Sequence, residues 1–407
     1  MSRIDELIAE HCPNGVPHFE LSDVAEYSRT RVDAVDLDET NFVGVDNLVA
    51  DKGGRVDATY LPNTARLTAY EPGDVLLGNI RPYLKKVWLA TNSGGCSGDV
   101  LSIRINPENQ QSLDSEYLYY ILSSDGFFAY NMQHAKGAKM PRGNKEAIMS
   151  YRIPVPPLEV QREIVRILDT FSKMEAELEA ELEARKQQYE HYQYQVFNDL
   201  RNSGVNLVPL SEIGRWYGGG TPSKSESSYW TNGSIPWISP KDMGSPIVTQ
   251  TEDYITNEAV SQSSTKLVPK DSIAIVVRSS ILEHTLPIAF VPIESSLNQD
   301  MKAVIPAEGI SARYVFHAMR AARSDILRQV KRTGGSVASL DSKKLWKFEI
   351  PVPDMKEQER VNQFFDRFDA LTSDLSAGLP AELVARRQQY EYYRDKLLTF
   401  KELEPAS

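Results

Sequence analysis

Ile153-Pro154-Val155-Pro156, followed by Gln161, returns as Ile350-Pro351-Val352-Pro353, followed by Gln358, in one chain of 407 residues. Downstream of each tract, Arg185-Lys186-Gln187-Gln188-Tyr189-Glu190 reappears as Arg386-Arg387-Gln388-Gln389-Tyr390-Glu391, four residues further along in the second copy. Four residues are about one helical turn, and the second copy carries that turn around Gly378 and Pro380. Upstream, Leu21-Ser22-Asp23-Val24 matches Leu210-Ser211-Glu212-Ile213, and Arg81 falls opposite Arg278. The chain reads as a tandem duplication, and such a repeat governs every later assignment.

Each half opens with short β-type runs, Asp74–Leu77 and Val100–Ile105 in the first, Ser272–Val277 and Met301–Ile305 in the second. They are rich in Val, Ile and Leu and bounded by turn formers. Short helices are expected at Ser115–Ser123 and Ala312–Val330. The Ile-Pro-Val-Pro stretches cannot lie inside a helix, so each closes a mixed domain and hands over to the helix after it. In the first long helix Ile164, Leu168, Phe171, Leu178, Leu182, Tyr189, Tyr192 and Val196 keep a coiled-coil spacing. In the second, Val361, Phe365, Phe368 and Leu375, then Leu383, Tyr390, Tyr393, Leu397 and Phe400 do so, with a break at Ser376–Pro380. A helix about 40 residues long with a one-sided seam needs a partner, and the other repeat's helix is the simplest one. The expected class is therefore α+β: two tandem mixed α/β domains, each followed by a long helix, the helices pairing as an antiparallel coiled coil with approximate two-fold symmetry. The expected boundaries are 1–152, 153–202, 203–349 and 350–407.

Composition sets the outer bounds. A charge of -11, 41% hydrophobic residues and 25% charged ones describe a folded protein of two or three domains, and no apolar run is long enough to span a membrane. The opening residues lack a signal-peptide core and two cysteines, Cys12 and Cys96, make no disulfide framework, so a cytoplasmic setting is expected. The charge is uneven. Acids gather on the long helices, whereas Arg313–Lys347 holds nine basic residues against two acidic ones. Lys136–Arg152 is its basic counterpart, and Arg81, Lys85 and Lys86 add a further cluster. Matching basic tracts in both copies point to two equivalent anion-binding faces, and duplex DNA is the polyanion they suit. Gly-rich loops beside them, Lys136–Lys139, Arg332–Ser336 and Gly218–Ser223, could bring backbone N–H groups to a phosphate.

Catalytic signatures are missing. Gly218–Lys224 fails as a phosphate-binding loop because Ser223 precedes the lysine. Asn106-Pro107-Glu108-Asn109 lacks the second proline and the aromatic of an adenine-methylation tetrapeptide. The six histidines, 11, 18, 134, 191, 284 and 317, have no metal-binding spacing, and Asp354 reads as a helix cap. The pattern points to recognition without reaction. A coiled-coil adaptor whose mixed domains bind protein is the alternative, and an independent nuclease or methyltransferase is disfavoured.

At this point the tract Pro209-Leu210-Ser211-Glu212-Ile213, then Gly218-Gly219-Gly220-Thr221-Pro222-Ser223, Tyr229-Trp230 and Gly233–Ser239, resembles the opening of a target recognition domain in specificity subunits of type I restriction-modification systems. The repeated Ile-Pro-Val-Pro…Gln and Arg-Gln-Gln-Tyr helices resemble that family's spacer regions, and the likeness covers essentially the whole chain. The first domain's opening, Leu21–Tyr27, lacks the Gly-Gly-Thr-Pro signature. The resemblance implies two domains that each read half of a bipartite asymmetric DNA target, held apart by the coil. It implies double-stranded DNA, two modification subunits and two restriction subunits as partners. S-adenosylmethionine, ATP and Mg2+ would sit on those partners, with no cofactor or metal on this chain. The DNA-facing residues it implies are Asn79, Arg81, Lys85, Lys136, Lys139 and Arg142 in the first domain. In the second they are Thr221, Lys224, Lys241, Arg278, Ser279, Arg332, Thr333 and Ser336. Asn79, Arg81, Arg278 or Ser279 would reach base edges and the lysines would neutralise phosphates. Leu178, Leu182, Tyr189, Leu383, Tyr390 and Tyr393 are the expected subunit-interface residues.

Overall fold

The Pro-bounded tracts end a strand in each copy, as their sequence requires. In the computed structural model, which describes residues 3–332, 337–372 and 378–403, Arg152–Pro154 pairs antiparallel with His18–Glu20, and Glu349–Pro351 pairs likewise with Leu207–Pro209. Proline gives no N–H to a ladder, and these two-stranded ribbons place it at an edge. The next backbone bonds also repeat: Val155 N–H donates to the Pro17 carbonyl at 3.0 Å and Val352 N–H to that of Asn206 at 2.8 Å.

The recurring glutamine is a clip. Gln161, buried in the first turns of the helix Leu158–Asn202, donates to the carbonyls of Pro156 at 2.6 Å and Ser112 at 2.7 Å and accepts from Asp114 N–H at 2.9 Å. Gln358 donates to the carbonyls of Pro353 at 2.8 Å and Gly309 at 3.3 Å and accepts from Ser311 N–H at 2.8 Å. Asp114 and Ser311 cap the helices Ser115–Leu122 and Ala312–Ala321. One side chain thus fastens the start of a long helix to the start of a short one, with all its polar atoms satisfied. Tyr117 and Tyr314 complete the corner by donating to the carbonyls of Pro154 and Pro351.

The chain divides into two units, Met1–Ala176 with Ala385–Ser407, and Glu177–Val384. In the first, an antiparallel sheet runs Ala25–Tyr27, Val100–Ile105, Val75–Gly78, Val87–Leu89. In the second the same order is kept by Gly214–Gly218, Met301–Pro306, Ser272–Val276, Ile288–Val291. Ser272–Val276 and Ile288–Val291 are buried at every position, which is why they read as continuous apolar runs. The second sheets share three strands and differ at the edge: Arg31–Asp33 is added beside Arg66–Tyr70 in the first unit, and Tyr254–Ile255 beside Ile235–Ile238 in the second.

Each unit also contains an antiparallel helix pair. In the first, Phe171 stacks on Tyr393 with ring centroids 5.7 Å apart, and Glu175 meets Arg387 at 2.6 Å, so numbers rise on one helix as they fall on the other. In the second, Tyr189 packs on Phe368 at 5.7 Å and Phe197 on Phe365 at 6.0 Å. The expected α+β class with long helices paired antiparallel is what the chain has. The helix expected over Ala312–Val330 is two, Ala312–Ala321 and Arg323–Val330. Ala322, at φ -86° and ψ 1°, turns the chain so that Ile326 and Val330 reach the core that holds Phe316 and Met319. The second long helix is described as Met355–Thr372 and Gly378–Leu397; Leu375 and Ser376 lie outside the described residues.

Candidate nucleic-acid interface

In each unit, the loop after the sheet's third strand is stitched to a later loop by backbone bonds. In the first, Arg81 N–H donates to the Pro141 carbonyl at 2.7 Å and Gly143 N–H to that of Asn79 at 3.0 Å, while Lys136 and Arg142 exchange bonds at 2.9 Å. In the second, Ser279 N–H donates to the Ala338 carbonyl at 3.0 Å, Leu340 N–H to that of Val277 at 2.9 Å, and Arg332 N–H to that of Ser339 at 2.8 Å. The loop pairs that the sequence set in register are therefore neighbours in space.

An aspartate stands at the centre of each mesh. Asp99 accepts Arg142 Nε at 3.0 Å, and its carbonyl accepts Asn79 N–H at 2.8 Å. Asp300, at the matching turn between strands, accepts Arg278 Nε at 2.5 Å, and its carbonyl accepts Val277 N–H at 2.8 Å. Thr221 hydrogen-bonds Gln299, which donates to Asp300 at 3.2 Å. Both arginines are more than half exposed. A guanidinium gripped at Nε keeps donors for another acceptor, held in a fixed plane, as reading a guanine edge needs. Asp99, Gln299 and Asp300 were not among the expected residues, although Asp99 and Asp300 hold equivalent places before Val100 and Met301. A cleft of about 630 Å³ opens beside Asp99, with Arg31, Tyr60 and Arg66 in its wall.

The other expected residues divide. Arg81, Lys136, Lys139, Lys224 and Arg332 are exposed; Arg81 takes the left-handed backbone, φ 52°, that is uncommon outside glycine. Asn79 is 5% exposed, and its Oδ1 sits where a side chain on Gly143 would be. Lys241 is held by Glu252 at 2.8 Å and Asp253 at 2.9 Å, whose carboxylates raise it above the ordinary lysine range. Lys85 is bound to Asp125 at 2.7 Å. Neither lysine stands ready for a phosphate. The Ser279 hydroxyl caps the turn Ser280–Glu283. Thr333 and Ser336 lie outside the described residues. Of the glycines before Thr221, Gly219 and Gly220 are set by packing, since a Cβ would run into the Asn298 carbonyl or the Ser264 backbone, whereas Gly218 has open space around it.

Of the expected interface residues on the helices, Tyr189 is 3% exposed and covered by Phe365 and Phe368. Leu178, Leu182, Leu383 and Tyr390 are half-buried, and Tyr393 stays exposed while stacking on Phe171. Beside Tyr189, His317, Asp366 and Asp369 present ligand atoms within 4.8 Å of one another. Arg313 pairs with both carboxylates and Arg320 lies 3.4 Å from Asp369. Two guanidiniums already supply the positive charge that a metal ion would bring, so the cluster is a helix-to-helix brace. Burial pushes the His317 imidazole below its ordinary pKa, and this outweighs the pull of Asp366, 3.2 Å away.

The sequence family described as type I restriction modification DNA specificity domain matches this chain twice, over residues 13–185 and 202–385. The chain is 54% identical over 263 residues to the type I restriction enzyme EcoR124I/EcoR124II specificity subunit of Escherichia coli. That match takes in 63% of this chain and spans 65% of the relative's length. A putative type I restriction enzyme specificity subunit of Haemophilus influenzae is 28% identical over 72% of this chain and 74% of its own. A solved structure on complex assembly and conformational transition of the type I R-M system contains a chain of like fold, with a TM-score of 0.66 and 20% identity, over 95% of this chain and 98% of that one. With its duplicated domains matched one after the other, the chain belongs to the type I restriction-modification DNA specificity family.

Proposed function

We propose that this chain is the DNA sequence-specificity subunit of a type I restriction-modification complex and that each of its two mixed domains reads one half of a bipartite, asymmetric duplex target. One observation carries the reading: both copies build an exposed arginine on an aspartate between stitched loops, Arg142 on Asp99 and Arg278 on Asp300. The arginine comes from the later loop in the first unit and from the earlier loop in the second, and an adaptor that binds protein has no need of an aspartate-held arginine in both. The proposed recognition domains are residues 1–152 and 203–349, with helical spacers at 153–202 and 350–407. Arg81, Lys136, Lys139, Arg142, Thr221, Lys224, Arg278 and Arg332 are the proposed DNA-facing residues. The exposed lysines among them neutralise phosphates.

In this reading the chain performs no chemistry. It scaffolds two modification and two restriction subunits, which carry S-adenosylmethionine, ATP and Mg2+, and it works in the cytoplasm, where its DNA is. Among the described residues no helix is long and apolar enough to cross a membrane. Co-expression with the modification subunit of its own host, followed by sequencing of methylated adenines, tests the proposal. The expected result is a two-part motif with an unread gap that vanishes without this chain. Co-purification without methylation, together with duplex binding indifferent to salt, would favour the adaptor, because phosphate contacts release counterions.

A further inference from the structure

We propose that Asp125 is a positioning residue for the DNA-reading loop of the first recognition domain, tying Lys52 and Lys85 beside that loop to Arg394 on the last helix. The inference rests on the reading above, in which the loop around Arg81 faces DNA.

Asp125 opens the helix Asp125–His134. Its Oδ1 accepts Lys85 Nζ at 2.7 Å and Lys52 Nζ at 3.1 Å, and its Oδ2 accepts Arg394 Nη2 at 2.6 Å. Three cations thus share one carboxylate. The loop they hold is one that would not keep its shape unaided. Asp51, Lys52, Arg81 and Lys85 all have positive φ, between 50° and 65°, without being glycine. Such conformations persist only where the surroundings over-determine them. Two backbone bonds, Asp51 N–H to the Leu84 carbonyl at 2.9 Å and Lys52 N–H to that of Lys85 at 3.0 Å, join the two strained pairs to each other, and Arg81 N–H on the Pro141 carbonyl ties them to the later loop. Asp125 adds the side-chain link to its own helix and to Arg394. Arg394 is 1% exposed, lies over the Tyr390 ring and is further fixed by Asp395 at 2.9 Å, so the anchor point is rigid. Burial alone would raise the Asp125 carboxyl, but the bonds from Lys85, Arg394 and Lys52 hold it well below the usual carboxylate range, so it stays charged at neutral pH.

The second repeat also ties the start of the corresponding helix to a long helix, with the signs exchanged, at Glu190 instead of at the counterpart of Arg394, and without the loop. Arg323, which opens the helix Arg323–Val330, binds Glu190 at 2.5 Å, and the place of Arg394 is taken by Gln193, which donates to Tyr189. A latch to the long helix is common to both repeats; its extension to the reading loop belongs to the first alone. Asp125→Asn should therefore affect one half-site.

The test uses the full chain in complex with its host's modification subunit, on duplexes carrying the two-part site found by methylation mapping. Wild type is measured first. Absence of any site preference there would overturn the functional reading and this inference with it. Given a selective wild type, Asp125→Asn is expected to lower discrimination at one half-site about tenfold, the size of a single base contact, and to leave the other half-site unchanged. It releases two lysines, so binding to unrelated duplex should tighten and its salt dependence steepen by about one unit of slope per lysine. Asp125→Glu should restore the wild-type pattern in part. Uniform weakening on all duplexes would mean that Asp125 merely supports folding, and unchanged discrimination at both half-sites would remove its positioning role; either result overturns the inference. If Asp125→Asn fails to assemble, Arg394→Gln, which introduces the residue type that the second repeat has at Gln193, is read against the same outcomes.

Discussion

Arg278→Ala tests the proposed interface at one side chain. The guanidinium spends Nε on Asp300 at 2.5 Å, and the side chain is 55% exposed. An ion pair this open contributes about 0–1 kcal/mol to folding, so the variant should fold and assemble with little loss of stability. If the Nη donors read a base, their removal costs about 1–3 kcal/mol of discrimination, or about 5- to 150-fold in relative affinity. The second figure exceeds the first, so the variant should lose selectivity before it loses structure. The assay is competition binding by the complex on duplexes in which one half-site at a time is substituted, with methylation of the same duplexes as a second readout. The expected outcome is a loss confined to one half-site, matched by Arg278→Lys, which retains the charge but not the planar fork. Equal weakening on unrelated sequences, rescued by lysine, would make Arg278 a phosphate contact. Wild-type selectivity in Arg278→Ala would refute the base-reading argument outright.

Three further outcomes follow from the same geometry. Gln358→Leu leaves Ser311 N–H and the Pro353 carbonyl without their partner; a loss of about 2–3 kcal/mol is expected by denaturant titration, and an unchanged midpoint would show that the clip is dispensable. His317 is held neutral by burial, so the unfolded chain binds a proton that the folded one does not. The associated stability is complete above about pH 6.5 and is lost as pH falls below it; His317→Tyr, which places there the residue type that Tyr120 offers to Asp169, should flatten that part of a Tm-versus-pH profile. Removing about four residues, one helical turn, around Ser376–Pro380 should change the tolerated gap between half-sites while leaving both half-sites themselves intact, as methylation mapping would show.

Local rules and the repeat made much of the architecture legible. Prolines at 154, 156, 351 and 353 can only end a strand or precede a helix, and the apolar seam of the long helices demands a partner. The core strand Ser272–Val276 stands out as an apolar run because it is buried at every position, and Val100–Ile105 by the alternation of Leu101, Ile103 and Ile105 with Ser102 and Arg104. Short edge strands such as Arg31–Asp33 and Tyr254–Ile255 carry no such pattern, since their pairing is fixed by neighbours distant in sequence.

The candidate site was legible only as a set of loops. Residue type and register identify Arg81 and Arg278 as cations in matching places and Arg142 and the lysines as cations of the neighbouring loops, but charge alone does not say where a cation is spent. Lys85 and Lys241 are bound to carboxylates 40 and about a dozen residues away, and Asn79 is turned into the core, because each outcome depends on which atoms the fold brings within hydrogen-bond reach. The sequence by itself determined the duplication and the strand-to-helix junctions and pointed to the proposed class of ligand, through periodicity, proline geometry and charge density along the chain. Which arginine stands on which aspartate, and that Asp125 joins the lysines beside the Arg81 loop to Arg394, only the tertiary structure decided, because hydrogen bonds act over about 3 Å in space and take no account of separation along the chain.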